Sequence, residues 1–122
     1  MGTFVVNLEV AKPITKPQFT RIARVMVDTG SEMTWIAGDV LRAMRIEVRK
    51  KDQVFVMANG QQITRDVGYA IVRCGTFETV DEVVFAQPGD LQLLGARTLE
   101  GFNAHVDARN KRLVAAGPMP AA

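Results

Sequence analysis

The chain has 122 residues, a hydrophobic content of 48% and a formal net charge of +2. This length and composition suit one compact domain with a modest core, so we expect a single domain over residues 1–122 with an irregular tail from about residue 115. The densest basic cluster contains no aromatic residue that would stack on bases, which argues against a nucleic-acid partner and is typical of a solvated face. It consists of Arg45, Arg49, Lys50 and Lys51.

Cysteine and histidine are too scarce for several classes of site. The single cysteine, Cys74, excludes a disulfide within the chain and is compatible with a reducing compartment. With one histidine besides, the sequence gives no support for a metal centre. It has no apolar run long enough to span a membrane and no secretory signal at its start. We therefore expect a soluble, cytoplasmic protein with no cofactor, no metal and no membrane partner.

The first part of the chain predicts strands broken by turns. Loose alternation of apolar residues indicates a strand at residues 4–10, and two prolines end it. A second strand, residues 19–27, leads directly into Asp28, and a short third strand follows at residues 33–36. Residues 39–44 predict a helical turn with Asp39 as its N-cap.

The second part predicts hairpins. Asn59-Gly60 lies between strand-like segments at residues 53–57 and from residue 63, which is typical of a type I′ turn with positive φ at both positions. Two further strands are expected around Gly75, at residues 69–74 and 79–86. After a turn at Pro88-Gly89-Asp90 come an apolar segment at residues 91–94, a short helix at 97–102 and a final hairpin around 107–112. Many short strands indicate an all-β domain.

The segment Asp28-Thr29-Gly30-Ser31 is the strongest candidate for chemistry. It places a carboxylate at the end of an apolar strand, where burial without a partner would be costly. The three residues that follow offer backbone and hydroxyl hydrogen bonds while leaving the carboxylate open space. We expect Ser31 to donate one of these bonds to the carboxylate.

This loop and the later segment Leu93-Leu94-Gly95 together resemble the retropepsin-like aspartic proteases. The resemblance extends from about residue 4 to residue 114, and residues 31–35 are also similar to the continuation found in pepsin-type lobes. It implies a small closed β-barrel with a flap hairpin and one short helix. It also implies that Asp28 is catalytic, that Thr29, Gly30 and Ser31 support it, and that Ala58, Asn59 and Gly60 form the tip of a flap closing over bound peptide.

Two positions depart from the viral members of the family. They usually carry an arginine directly after the last glycine, where it braces the catalytic loop, whereas this chain has Ala96 there and Arg97 one residue later. Their loop also tends to carry aspartate where this chain has Glu32 and Met33. Both changes leave the carboxylate intact and bear on dimer geometry and subsite preference.

The family's mechanism needs two carboxylates, because one accepts a proton from the attacking water while the other protonates the scissile group. No other aspartate in the chain is followed by Thr-Gly, so one chain supplies half a site. The resemblance therefore implies an aspartic endopeptidase that acts as a homodimer on an extended peptide or protein.

Other interpretations remain. The domain can serve as a non-catalytic peptide-binding or dimerisation module on the same fold. Ser31 as a nucleophile would need His105 as its base, Cys74 lies in an apolar run typical of a packed thiol, and Ala58-Asn59-Gly60 can be a plain surface turn.

Overall fold

The computed structural model describes residues 3–121 and contains nine strands and two short helices within them. In chain order these are β1 (Val5–Ala11), β2 (Thr20–Val27), β3 (Thr34–Ala37), α1 (Gly38–Ala43), β4 (Lys50–Val56), β5 (Gln62–Cys74), β6 (Phe77–Ala86), β7 (Leu93–Leu94), α2 (Ala96–Gly101), β8 (Ala104–Asp107) and β9 (Arg112–Ala115). The predicted all-β fold is confirmed. Within the described residues, no helix is both long and apolar enough to cross a membrane.

Seven of the strands form one sheet whose order is β1-β2-β7-β3-β6-β5-β4. Because β1 also pairs with β5, the first six of these strands close into a ring and only β4 lies outside it. The two-residue strand β7 lies between β2 and β3, parallel to β2 and antiparallel to β3. The loop that joins β2 to β3 therefore crosses the end of β7. Strands β8 and β9 form a separate hairpin.

The ring encloses the main apolar core, and a second apolar cluster lies on the other face of β6. The period-2 alternation of a strand explains the division, since successive side chains point to opposite faces. Val83 and Phe85 enter the main core, whereas Val84 and Ala86 join Trp35 in the second cluster. Phe55 of β4 packs on Trp35 with ring centroids 5.2 Å apart. The second cluster thus supports the hairpin formed by β4 and β5.

The helical prediction was incomplete at residues 39–44. The structure has a full helix there, so the domain contains two short helices and not one. Asp39 is not the N-cap: Ala37 occupies that position without a side-chain cap, and Asp39 lies in the first turn. The reason is that the pairing of β3 with β6 continues to Ala37, so the chain passes from strand into helix without a capping residue.

The strand predicted at residues 69–74 is the second half of the 13-residue strand β5. Its first half pairs with β4, and its second half pairs with β6 and β1. The change of partners along one continuous strand projects the β4–β5 hairpin away from the ring, because only β4 accompanies β5 in that region.

The tip of this hairpin is a different turn from the one predicted. Gly60 has a positive φ of 85°, but Asn59 does not, which excludes a type I′ turn. The Gly60 N–H donates to the Met57 carbonyl (2.8 Å), and the Met57 N–H donates to the Gln61 carbonyl (2.8 Å). This pattern is a three-residue loop in which a type I turn is followed by a glycine bulge. The Asn59 side chain accepts a bond from the Gln61 N–H (2.9 Å), which favours the turn conformation.

Candidate active site

Asp28 directly follows β2, at the point where the chain leaves the ring. Its N–H donates to the carbonyl of Leu94 (3.0 Å), so the end of β7 fixes the backbone of the loop. The carboxylate is half-buried, and its Oδ1 accepts the N–H of Gly30 (2.9 Å). A Cβ at Gly30 would lie 3.2 Å from that oxygen, so glycine permits the close approach. The structure therefore brings Asp28 and Gly30 together as the motif predicts.

Ser31 supports the loop by a route other than the predicted one. Its hydroxyl donates to the Met33 carbonyl (2.9 Å), and since a hydroxyl has one proton, it is not donated to Asp28. The Ser31 N–H bonds the Asp28 carbonyl (3.1 Å), which closes a turn around Thr29 and Gly30. The expectation that Ser31 donates to the carboxylate was wrong. Thr29 is exposed, and its side chain makes no hydrogen bond within residues 3–121.

A cleft of about 830 Å³ opens above the loop and is bounded by the β4–β5 hairpin. Asp28, Gly30 and Ser31 line it on one side, and β4 with Ala58 lines it on the other. Thr29, Asn59 and Gly60 do not line it. The hairpin that the resemblance identified as a flap is therefore placed beside the carboxylate, with Ala58 as the tip residue that contacts the cleft.

Three charged side chains from different elements meet in the wall of this cleft. Lys50 of β4 lies 2.8 Å from Glu82 of β6, and Arg97 of α2 lies 3.3 Å from the other oxygen of the same carboxylate. The hydrogen bond from Lys50, more than the contribution of Arg97, holds the pKa of Glu82 below its usual value. Arg97 thus binds Glu82 through its side chain, and its N–H donates to the Glu32 carbonyl (3.0 Å). The loop that carries Asp28 is braced here by the backbone of Arg97.

A second ion pair anchors the hairpin near its base. Arg65 of β5 donates two hydrogen bonds to Asp90 in the loop before β7, of 2.7 and 2.9 Å, and the Gln87 N–H adds a third at 2.8 Å. The side chains are only 13% and 14% exposed. The bonds from Arg65 hold the pKa of Asp90 below its usual range, which indicates that the folded state favours the ionised carboxylate.

Asp90→Asn should lower the free energy of unfolding by about 2–3 kcal/mol at pH 7, because it removes one partner of a largely buried, bidentate pair. Because the pKa of Asp90 is lower in the folded state, its ionised carboxylate stabilises the fold at pH values above the unfolded-state pKa. This contribution is lost as the pH falls through the folded-state pKa. The difference between variant and wild type should therefore shrink below about pH 4. Urea unfolding from pH 2 to 7 measures it, and a difference that stays constant to pH 2 would assign the effect to packing.

The residues of the alternative interpretations do not assemble into a site. His105 is exposed on β8 and lies outside the cleft that Ser31 lines. Cys74 is half-buried against the main core, and burial raises the pKa of its thiol, which disfavours the reactive thiolate. Among the described residues, no group of three or more His, Cys, Asp or Glu side chains is placed to hold a metal ion.

Comparison of the sequence with known families gives a match over most of the chain. The model of the family described as "gag-polyprotein putative aspartyl protease" matches residues 20–101. The chain belongs to this family. The match runs from β2 to the end of α2 and includes the Asp28 loop, the β4–β5 hairpin and Leu93-Leu94-Gly95, so the predicted retropepsin-like resemblance is confirmed. No curated protein matches the chain.

Because the chain belongs to an aspartyl protease family, two parts of the cleft are named after the parts of that family which they resemble. The β4–β5 hairpin is called the flap from here on, and residues 28–33 are called the catalytic loop. Sequence reasoning missed two contributors to the site, the Glu82 carboxylate and the Arg65–Asp90 pair. Neither has a local signal, because each depends on a partner 15 or more positions away.

Proposed function

We propose that the protein is an aspartic endopeptidase that works as a homodimer, with Asp28 of each copy contributing one carboxylate. The observation that carries the proposal is the position of Asp28, half-buried and lining a cleft that the flap bounds on its other side. The family match supports the chemistry. We further propose that the protein works in the cytoplasm, in keeping with its lone cysteine.

The charges of the cleft support a second copy as the source of the second carboxylate. Glu82 is engaged by Lys50 and Arg97, and Asp90 is engaged by Arg65. Neither is available to exchange a proton with Asp28, because its cationic partners stabilise the ionised form. The exposed residues Thr29 and Gly30 leave the outer side of the catalytic loop accessible to another chain. A two-fold axis beside this loop would bring two copies of Asp28 together.

In such a dimer, the two carboxylates would share one proton and hold a water between them. The ionised carboxylate accepts a proton from the water as its oxygen attacks the scissile carbonyl. The protonated carboxylate then donates to the nitrogen that leaves. Glycine at position 30 matters here, because its N–H holds one oxygen of Asp28 in place without covering the other.

The rest of the cleft favours an extended peptide with apolar side chains. Its lining includes Met33, Trp35, Phe55 and Leu93 near the second apolar cluster. Exposed apolar residues of the flap and the loop before β7 surround them: Val54, Val56, Met57 and Leu91. An extended peptide would bind through main-chain hydrogen bonds, with alternate side chains entering these apolar surfaces.

Cleavage and assembly are best measured on the same samples. We expect wild-type protein to cleave an apolar peptide, to sediment as a dimer at micromolar concentration, and to lose activity per chain on dilution as the dimer dissociates. Constant activity per chain in a sample that sediments as a monomer would contradict the homodimer. Peptide binding without cleavage at any pH from 3 to 8 would instead favour the non-catalytic peptide-binding module.

Gly60→Val tests whether the flap tip must move. Gly60 has positive φ, and a Cβ added there would meet no heavy atom within 4 Å beyond its chain neighbours, so valine strains the backbone without a clash. We expect a small loss of stability, about 1–2 kcal/mol, and a decrease in kcat/KM of about tenfold or more, because a stiffened tip hinders closure over the peptide.

Gly75→Val is the matched control. A Cβ added at Gly75 would also meet open space at positive φ, but Gly75 lies in the β5–β6 turn, at the opposite end of β5 from the flap tip. It should lose similar stability and keep its kcat/KM. Equal kinetics in the two variants would identify Ala58-Asn59-Gly60 as a plain surface turn.

A further inference from the structure

A chain of four hydrogen-bonding groups runs through the interior from the end of β7 to β6. The Gly95 N–H donates to Thr34 Oγ1 (3.0 Å), Thr34 Oγ1 lies 2.6 Å from Thr98 Oγ1, and Thr98 Oγ1 donates to Asp81 Oδ2 (2.9 Å). The other oxygen of Asp81 accepts the N–H of Glu82 (2.7 Å). Thr34 and Thr98 are fully buried, and they are the only buried polar side chains among residues 3–121.

The two ends of this series of hydrogen bonds determine which group donates each bond within it. A backbone N–H only donates and a carboxylate only accepts. Thr98 must therefore give its proton to Asp81, and Thr34 must give its proton to Thr98. Thr34 then receives the N–H of Gly95 on a lone pair. Only this arrangement satisfies all four groups, so the hydrogen bonds form a rigid connection between the end of β7 and β6.

This connection ends in the segment that holds the catalytic loop. Residues 94–97 make three backbone hydrogen bonds with the loop: Leu94 carbonyl to Asp28 N–H (3.0 Å), Ala96 N–H to Ser31 carbonyl (2.8 Å) and Arg97 N–H to Glu32 carbonyl (3.0 Å). Thr34 begins β3 directly after the loop, and Thr98 lies in α2 directly after the segment. The Thr34–Thr98 bond thus joins the two pieces of chain just beyond their backbone contacts.

We propose that Thr34, Thr98 and Asp81 are positioning residues for Asp28. They act through Gly95 and residues 94–97, and none of them lines the cleft. The carboxylate of Asp81 orients both hydroxyls, and these hydroxyls hold β3, α2 and β6 in fixed positions relative to one another around the loop. As a proposal about catalysis this rests on the proposed function, whereas the restraint on the loop is a property of the folded chain.

Substitutions of Thr98 separate the hydroxyl from the packing. Thr98→Val keeps the shape and removes the hydroxyl, leaving the Thr34 proton and the Asp81 oxygen without their partner. Thr98→Ser keeps the hydroxyl and loses a buried methyl group. We expect Thr98→Val to lower kcat about 10- to 100-fold with KM within about twofold, because a displaced carboxylate loses its productive geometry. Thr98→Ser should keep kcat within about threefold, although the lost methyl costs it stability.

Val72→Ala controls for general destabilisation, since Val72 is fully buried in β5 away from the loop. It should lower the melting temperature and leave kcat unchanged. If kcat instead follows the melting temperature across all three variants, with Thr98→Ser losing as much as Thr98→Val, the three residues have only a structural role and the proposal is wrong.

Amide hydrogen exchange of the same proteins tests the restraint without any peptidase assay. In Thr98→Val, exchange at the N–H groups of Asp28, Ala96 and Arg97 should be at least about tenfold faster than in the wild type and in Thr98→Ser. Exchange within the β5–β6 pairing should not change. Unaltered exchange at all three amides would overturn the positioning role. If exchange at these amides is faster in Thr98→Val but the wild-type protein cleaves no peptide, the restraint is established and the proposed enzyme is wrong.

Discussion

Asp28→Asn should lower kcat by about 10⁴-fold while leaving the fold intact. An asparagine oxygen can still accept the Gly30 N–H that the carboxylate now accepts at 2.9 Å, so the loop keeps its geometry. The amide neither takes a proton from water nor gives one to the leaving nitrogen, and both copies lose the function at once. The measurement is kcat on one peptide, with the melting temperature and the sedimentation coefficient of the variant as controls for folding and assembly.

Mixing the variant with wild type shows whether the two carboxylates come from different chains. When the two proteins are mixed in equal amounts and exchange subunits at random, about one quarter of the dimers contain two wild-type chains, so a shared site leaves about one quarter of the wild-type activity per chain. Independent sites would leave about one half. We expect the lower value. Activity at one half would contradict a shared site.

Glu32→Gln provides the control within the same cleft. Glu32 lies in the catalytic loop, lines the cleft, and has no ion pair within the described residues. It is the carboxylate that a site made by one chain would use as the second group. In the proposed dimer, Glu32→Gln keeps kcat within about tenfold of wild type. A loss as large as that of Asp28→Asn would identify Glu32 as the second carboxylate.

The sequence predicted the parts of this fold that depend on local patterns. The apolar run before Asp28 indicated β2, and Asn59-Gly60 indicated a hairpin, because periodicity and turn residues are encoded within a few positions. The turn type was wrong because Gly60 alone takes the positive φ and Asn59 instead stabilises a type I turn through its side chain. Local composition favours a turn without choosing among turns that accept the same residues.

The contacts that complete the site could not be predicted in the same way. Thr34 and Thr98 are 64 positions apart, and neither stands out in its own segment. Their proximity follows from the insertion of β7 between β2 and β3, which is a consequence of the whole ring. The same is true of the ion pair between Arg65 and Asp90. Resemblance to the family supplied Leu93-Leu94-Gly95, but the bonds that make this segment important come from the tertiary structure.

Gly95→Ala should cause a large loss of both stability and activity, although it adds only one methyl group. A Cβ at Gly95 would overlap the carbonyl oxygen of Met33. It would also lie 2.6 Å from the carbonyl carbon of Met33 and 2.9 Å from the carbonyl oxygen of Ser31. These atoms are backbone of the catalytic loop and its exit, so no side-chain rotation relieves the overlap. We expect the free energy of unfolding to decrease by about 3 kcal/mol and kcat to decrease by about 100-fold, because the loop must move relative to Leu94.

Gly101→Ala is the matched comparison, since a Cβ there also meets a neighbour closely, namely the Thr79 side chain on β6. That neighbour is a side chain distant in sequence from the loop, and it can yield more easily than backbone. Gly101→Ala should cost about 1 kcal/mol and leave kcat unchanged. Unfolding curves and kcat are measured for both variants. If Gly95→Ala keeps wild-type kcat, the catalytic loop tolerates displacement from β7, and the role assigned to the contacts around Gly95 in positioning Asp28 is wrong.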